Sequence, residues 1–207
     1  MNPIVIIDYK VGNIGSIVNM IKRIGYSAKV TNDHDDIKNA SRIILPGVGA
    51  FDNGMKYLQL FGLTEILNHK VLSEKVPVIG MCLGMQLMTK KSEEGDIPGL
   101  GWLDAETVKF RFGSGSNSIK IPHMGWNTVR PKDYQSIFKG LEGDETRFYF
   151  AHSFHVRCRN EEEVLATSYH GIVITSAIRQ GNIFGVQFHP EKSHKYGMML
   201  LKNFLEG

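Results

Sequence analysis

The sequence predicts an α/β fold: a mostly parallel central sheet with helices on both faces, and smaller antiparallel β elements in the second half. Three observations lead there. Short apolar runs alternate with helix-spaced segments through about the first 90 residues. Each run stops at a polar or glycine-rich turn. Beyond about residue 102 the texture changes to closely spaced β-like runs. Repeated strand–helix units with short connections demand parallel pairing, and a parallel sheet is covered on both faces.

The elements follow in order. Ile4-Val5-Ile6-Ile7 is a buried-strand pattern that stops at Asp8. Residues 13–24 carry Ile14, Ile17, Val18, Ile21 and Ile24 on one helical face, and Gly25 closes that helix. A weak strand is expected at 27–30, a short helix at 33–40 and a third strand at 43–45. Helical stretches follow between residues 51 and 72, a strand at 76–80 and a helix from 83 to 90. In such sheets the ligand sits beyond the C-terminal strand ends. Those ends carry Asp8-Tyr9-Lys10, Pro46-Gly47-Val48-Gly49 and Gly80-Met81-Cys82.

In the second half, strands are expected at 105–110, 118–121, 147–150, 164–168, 172–178 and 183–186. Turns are expected at Gly113-Ser114-Gly115, Glu142-Gly143-Asp144 and Gln180-Gly181-Asn182. Residues 194–206 read as a helix with Ser193 as N-cap. No linker, repeat or low-complexity tract interrupts residues 1–207, so one domain is expected.

Composition narrows the function classes. Apolar residues are 42% and charged residues 22%, which excludes disorder, collagen and coiled coil. The net charge of +3 is too small to imply a nucleic-acid partner. No apolar stretch of about 18 residues exists, so no membrane span is expected. Met1-Asn2-Pro3 does not open an export signal. Two cysteines, Cys82 and Cys158, make no disulfide scaffold, and a reduced, cytoplasmic setting is expected.

Three elements carry chemistry. In Val78-Ile79-Gly80-Met81-Cys82-Leu83-Gly84-Met85-Gln86 an apolar strand enters Gly-x-Cys-x-Gly and then a helix. That is the cysteine form of the sharp turn that exposes a nucleophile. Helix-terminal charge favours a thiolate there, and the Leu83 amide is placed for an oxyanion. In Gly185-Val186-Gln187-Phe188-His189-Pro190-Glu191, an extended chain would put His189 and Glu191 on one side, a base and its orienting acceptor. Pro46-Gly47-Val48-Gly49 could turn further amides toward a ligand. Taken singly, only the cysteine turn favours function. The glycine pair alone is an ordinary turn, and the His-x-Glu pair alone a strand end.

Together, and in this order, these residues resemble the class I (triad-type) glutamine amidotransferases. The likeness narrows through Ile7-Asp8-Tyr9 with Gly12-Asn13, Pro122-His123-Met124-Gly125-Trp126-Asn127, Tyr149-Phe150-Ala151-His152-Ser153 and His189-Pro190-Glu191-Lys192-Ser193. These are similar to the glutaminase subunits of imidazole glycerol phosphate synthases, over essentially the whole chain.

The resemblance implies the following roles. Cys82 attacks the glutamine side-chain amide, His189 moves the proton and Glu191 orients His189. The amides around Gly47 and Val48, with that of Leu83, form the oxyanion hole. Gly49, Gln86, Ser153 and Phe154 surround the glutamine α-groups. Asn13, Trp126, Tyr149 and Lys192 face a partner. The substrate is L-glutamine, without cofactor or metal. Ammonia passes to a (β/α)8-barrel cyclase subunit that makes imidazole glycerol phosphate and AICAR. A sugar amidotransferase of surface-glycan synthesis is an alternative acceptor. A cysteine hydrolase acting on peptides or esters is the alternative of another class.

The chain departs from the family pattern at Lys10, where glycine is usual, at Phe154, at His194 and at Trp102-Leu103-Asp104-Ala105. Gly12-Asn13-Ile14-Gly15-Ser16 lacks phosphate-loop spacing, so no nucleotide is expected. His34, His69, His123, His152, His155, His170 and His194 lack zinc-like spacing. Packing or interface roles are expected for His123 and His152. Cys158 reads as structural, and Met81, Met85 and Met88 as packing for the elbow helix.

Overall fold

A computed structural model describes residues 3–113, 119–143 and 146–207. The first half runs β1 (Ile4–Ile7), α1 (Ile14–Arg23), β2 (Ala28–Thr31), α2 (His34–Lys38), β3 (Arg42–Leu45), α3 (Phe51–Leu60) and α4 (Leu63–Asn68). A π-helical turn (His69–Ser73), β4 (Val78–Met81) and α5 (Leu83–Leu87) complete it. The second half holds β5 (Ala105–Lys109), β6 (His123–Thr128), β7 (Arg130–Pro131), β8 (Arg147–His152) and β9 (Phe154–Cys158). Then come β10 (Val164–Tyr169), β11 (Val173–Gln180), β12 (Ile183–Val186), a 3₁₀ turn (Pro190–Lys192) and α6 (His194–Glu206).

Among the described residues, eight strands form one sheet in the order β2-β1-β3-β4-β12-β11-β10-β7. The five from β2 to β12 pair in parallel, and β11, β10 and β7 add antiparallel neighbours. The expected mostly parallel sheet is therefore observed. Alternate residues of β1 serve opposite faces, as the pleat requires. Val5 and Ile7 pack with Ile43, Phe51, Leu58 and Met85 under α3 and α5. Ile4 and Ile6 pack with Ile17, Ile21, Ile79, Leu200 and Phe204 under α1 and α6. Two small antiparallel pairs, β5 with β9 and β6 with β8, stand apart from this sheet.

Helix α1 ends as its sequence predicts. Gly25 has φ +89°, its amide donates to Lys22 O, and the Tyr26 amide donates to Ile21 O. That double closure needs a left-handed residue, which glycine adopts without strain. Lys10, also at positive φ, shows why glycine is usual there. Its amide is held by Asp8 Oδ1 at 3.1 Å, which offsets part of the strain.

Some expectations need correction. The helix expected over 83–90 stops at Leu87, because Thr89 Oγ1 donates to Gln86 O and the Leu100 amide donates to Leu87 O. Ser193 sits at the start of α6 but makes no capping bond. Its hydroxyl donates instead to His189 O at 2.6 Å and accepts from the Tyr149 amide at 3.0 Å. Residues 119–121 are not in a strand. Residue 118 and parts of the turns expected at 113–115 and 142–144 lie outside the described residues. Strands β6 and β7 had no sequence expectation, whereas the β-like run expected at 156–158 is the second half of β9. In β6 the usual pattern is inverted, since Met124 and Trp126 are exposed while His123 is buried.

Candidate active site

The cysteine turn forms where β4 delivers the chain into α5. Cys82 has φ +52° and ψ −108°, a conformation that costs a non-glycine residue about 1–3 kcal/mol. Its neighbours hold it there. The Cys82 amide donates to Val186 O at 2.8 Å, and Cys82 O accepts from Gln86 N at 3.2 Å. The flanking glycines are steric necessities. A Cβ on Gly84 would lie 1.9 Å from Leu45 O, and one on Gly80 would lie 2.7 Å from the Gly84 backbone. The elbow is packed backbone against backbone, so side chains there are excluded.

His189 arrives three residues beyond β12, the strand that pairs with β4 through Val186 and Met81. Cys82 and His189 are 107 residues apart (189 − 82), and adjacent strands bring them together. His189 Nδ1 lies 2.8 Å from Glu191 Oε1. His189 is extended, as its place before a proline predicts, but the extended chain does not continue to Glu191: Pro190 opens a 3₁₀ turn that folds Glu191 back onto the ring. The pair is almost fully buried, each side chain 2% exposed. The backbone of His189 is fixed at both ends, its amide to Tyr149 O at 2.8 Å and its carbonyl to the Ser193 hydroxyl. Nε2 is buried and has no hydrogen-bond partner, which leaves it available for a proton.

Burial of His189 works against its charged form. The neighbouring Cys82 and Glu191 side chains both favour the charged ring, outweigh burial and raise its pKa from 6.5 to about 10. A raised imidazolium pKa means that the folded state holds the proton more tightly than the unfolded chain. This stabilisation is complete below about pH 6.5 and is lost as pH rises through about 10. Glu191→Gln removes one source, so the His189 resonance is expected to titrate at lower pH than in wild type. An NMR titration checks this, and an unshifted midpoint contradicts the assigned cause.

A cavity of about 270 Å³ opens at Cys82 and is lined by Val48, Gly49, Gln86, Ser153 and Phe154 among others. The sequence-expected glutamine residues are therefore gathered in one place. Gln86 Nε2 donates to Phe154 O at 3.0 Å and to Gln187 Oε1 at 3.1 Å. Gln187 Nε2 in turn lies 3.8 Å from Cys82 Sγ. Two residues here escaped sequence reasoning. Glu94 lines the cavity while its Oε2 accepts from the Phe51 amide at the start of α3. Its surroundings of polar loop gave no signal. Gln187 is fully buried in an otherwise apolar run, and a lone polar residue in such a run was the available signal.

The Pro46-Gly47-Val48-Gly49 loop is tied down by Tyr9, whose buried hydroxyl donates to Pro46 O. Burial and the nearby Cys82 raise the Tyr9 pKa, which keeps that hydroxyl a donor. The Leu83 amide, expected at the oxyanion hole, donates to Gly47 O at 3.4 Å. In a trans peptide the C=O and the following N–H point opposite ways. The Val48 amide is thus directed away from the Leu83 amide.

Three of the four expected partner-facing residues lie together. Lys192 Nζ lies 5.4 Å from the Tyr149 ring centroid, and Trp126 meets that ring edge-on at 6.3 Å. His194 stacks on Trp126 at 5.5 Å. Met124 and Val48 are exposed apolar groups that line the cavity, and Trp126 is exposed two residues along β6 from Met124. Asn13 lies exposed at the start of α1 and makes no side-chain cap bond.

Among the described residues, no group of His, Cys, Asp or Glu is arranged to hold a metal ion. Among them no helix is long and apolar enough to cross a membrane. Residues 5–207 match the family model for glutamine amidotransferase class-I. The chain is 51% identical over 203 residues to "Imidazole glycerol phosphate synthase subunit HisH 2" of Methanococcus maripaludis, covering 98% of each. It is 47% identical to the Pseudomonas aeruginosa protein of the same description, again over 98% of each. It is 48% identical to the HisH subunit of Bdellovibrio bacteriovorus, over 97% of this chain and 98% of that one. Solved structures share the fold at lower identity. PurLQS from Thermotoga maritima matches with TM-score 0.74 at 16% identity, over 100% of this chain and 99% of that one. A glutamine amidotransferase crystal structure matches with TM-score 0.71 at 21% identity, over 98% of this chain and 97% of that one. The chain belongs to the class I glutamine amidotransferases and, among them, to the HisH subunits of imidazole glycerol phosphate synthase.

Proposed function

We propose that the chain hydrolyses glutamine to glutamate and ammonia and delivers the ammonia to a barrel synthase subunit in histidine biosynthesis. The observation that carries this is Cys82, held in a strained turn at the floor of a cavity and paired across β4 and β12 with a buried His189–Glu191 couple. The sulfur attacks the side-chain amide carbon of glutamine. His189 transfers a proton to the leaving nitrogen, and ammonia departs from the tetrahedral adduct to leave a thioester on Cys82. Water, deprotonated by His189, then releases glutamate and restores the thiol. Gly49, Gln86, Ser153 and Phe154 hold the α-groups, and Glu94 adds a negative charge suited to the α-ammonium.

The partner is a (β/α)8-barrel cyclase that uses the ammonia to make imidazole glycerol phosphate and AICAR. It docks on the face that carries Asn13, Trp126, Tyr149 and Lys192. That arrangement also suits control of turnover. Until the Gly47–Val48 peptide rotates, the Val48 and Leu83 amides do not converge on one oxyanion.

The isolated chain is therefore expected to be a weak glutaminase. Partner and acceptor substrate together should raise its turnover by about 10²–10³-fold, the worth of one oxyanion donor. Glutamate release, measured with and without the barrel subunit, checks both points. High partner-independent turnover contradicts the gating. No release of glutamate in the complex contradicts the function.

A further inference from the structure

Two buried histidines that the reaction does not use face each other across β6 and β8. His123 and His152 are register partners and are 4% and 6% exposed. His123 Nδ1 lies 2.8 Å from His152 Nε2. His152 Nδ1 lies 2.7 Å from Phe154 O. His123 Nε2 lies 3.0 Å from Asn127 Nδ2.

The two ends of this line decide where its protons sit. A carbonyl oxygen only accepts, so His152 Nδ1 carries the hydrogen and donates it to Phe154. In a neutral ring His152 Nε2 then accepts, and His123 Nδ1 donates to it. His123 Nε2 must accept in turn, from Asn127. The orientation of Asn127 is set independently: Oδ1 accepts from the Thr128 amide at 2.8 Å, and Nδ2 also donates to Tyr169 O at 2.9 Å. Every link has one direction. Burial keeps both rings neutral, with pKa values of about 4 for His123 and about 3 for His152. The titratable groups that act on the pair are His155 from β9 and His170 from the β10–β11 turn, and each opposes further protonation.

At the inner end, Phe154 O accepts from both His152 and Gln86, so both lone pairs are filled. A carbonyl held twice cannot rotate without leaving a buried donor unpaired. The amide edge of Ser153 and Phe154 is thereby set against the cavity that Cys82 opens into. At the outer end, β6 also carries Trp126.

We propose that His123 and His152 are positioning residues, forming a one-directional hydrogen-bond relay that fixes the Ser153 and Phe154 edge of the glutamine cavity and ties it to the Trp126 strand. This rests on the glutaminase reading. The relay acts on the α-groups of glutamine and leaves the Cys82–His189 chemistry untouched. Its loss falls on KM rather than on kcat.

The test uses the complex with the barrel subunit. His152→Phe keeps a buried ring and deletes both bonds. It is expected to raise the glutamine KM about tenfold, with kcat changed less than about threefold. Activity with supplied ammonium is expected to stay at the wild-type level. His152→Asn, which keeps a short donor toward Phe154 O, is expected to recover most of the KM. A KM for His152→Phe within about twofold of wild type overturns the relay. A second measurement does not depend on any variant folding. Nitrogen-15 NMR of the wild-type chain is expected to show both rings in the Nδ1–H form near neutral pH. An Nε2–H or imidazolium ring at either position overturns the proposal. A wild-type complex that releases no glutamate overturns the glutaminase reading instead, and the NMR result still decides the relay.

Discussion

Replacing Cys82 with serine is expected to lower glutamine-dependent turnover of the complex by on the order of 10⁴-fold or more. The hydroxyl is smaller and ionises far less readily than the thiol, so the attacking atom is lost while the turn that holds it remains. Cys82 is 5% exposed, and its backbone bonds to Val186 and Gln86 do not involve the side chain. The fold is therefore expected to survive, with a thermal midpoint near wild type. Activity with supplied ammonium is expected to be unaffected, because the acceptor chemistry lies in the partner. Parallel assays with glutamine and with ammonium separate these effects. Near wild-type glutamine hydrolysis by Cys82→Ser removes Cys82 as nucleophile.

Gly84→Ala is expected to have the largest effect on stability. The new Cβ would lie 1.9 Å from Leu45 O and 2.9 Å from Leu45 C. Both are backbone atoms of a central strand with buried neighbours on each side, so neither can yield cheaply. Helix α5 must move away from β3 and takes Cys82 with it. A loss of about 3 kcal/mol is expected. For a chain of this size that corresponds to roughly 6–12 °C in thermal midpoint. Any variant that folds should also show reduced kcat, because the sulfur is displaced. Gly15→Ala in α1 is the control. No atom lies within 4 Å of its would-be Cβ, and a change within about 1 kcal/mol is expected. A Gly84→Ala midpoint equal to that of the control contradicts the packing argument.

The parallel sheet was legible because its signal is local. Runs such as Ile4-Val5-Ile6-Ile7 and Ile43-Ile44-Leu45 are apolar on both faces, which only a covered strand tolerates. The elbow was legible for the same reason, since Gly80, Cys82 and Gly84 lie within five residues. Strand β6 was not legible. Its apolar residues Met124 and Trp126 are the exposed ones and the polar His123 is buried, and pairing with β8 supplies the order that the segment lacks by itself. The Ser193 hydroxyl was misjudged because serine before a helix commonly caps it. Here the Tyr149 amide takes that oxygen as its acceptor, and the hydroxyl hydrogen goes to His189 O.

By itself, the sequence determined the strand–helix alternation, the cysteine turn and the grouping of candidate residues at the strand ends. These follow from periodicity and from residue types a few positions apart. Tertiary structure decided which atoms meet. It set His189 against Glu191 through a 3₁₀ turn, turned the Gly47 carbonyl onto the Leu83 amide, and placed Glu94 and Gln187 at the cavity. It also paired His123 with His152. The physical reason is that a hydrogen bond has direction and reach of about 3 Å. Apart from His189 with Glu191, these bonds join residues 29 to 101 positions apart and depend on strand pairing and peptide orientation, which no local pattern encodes.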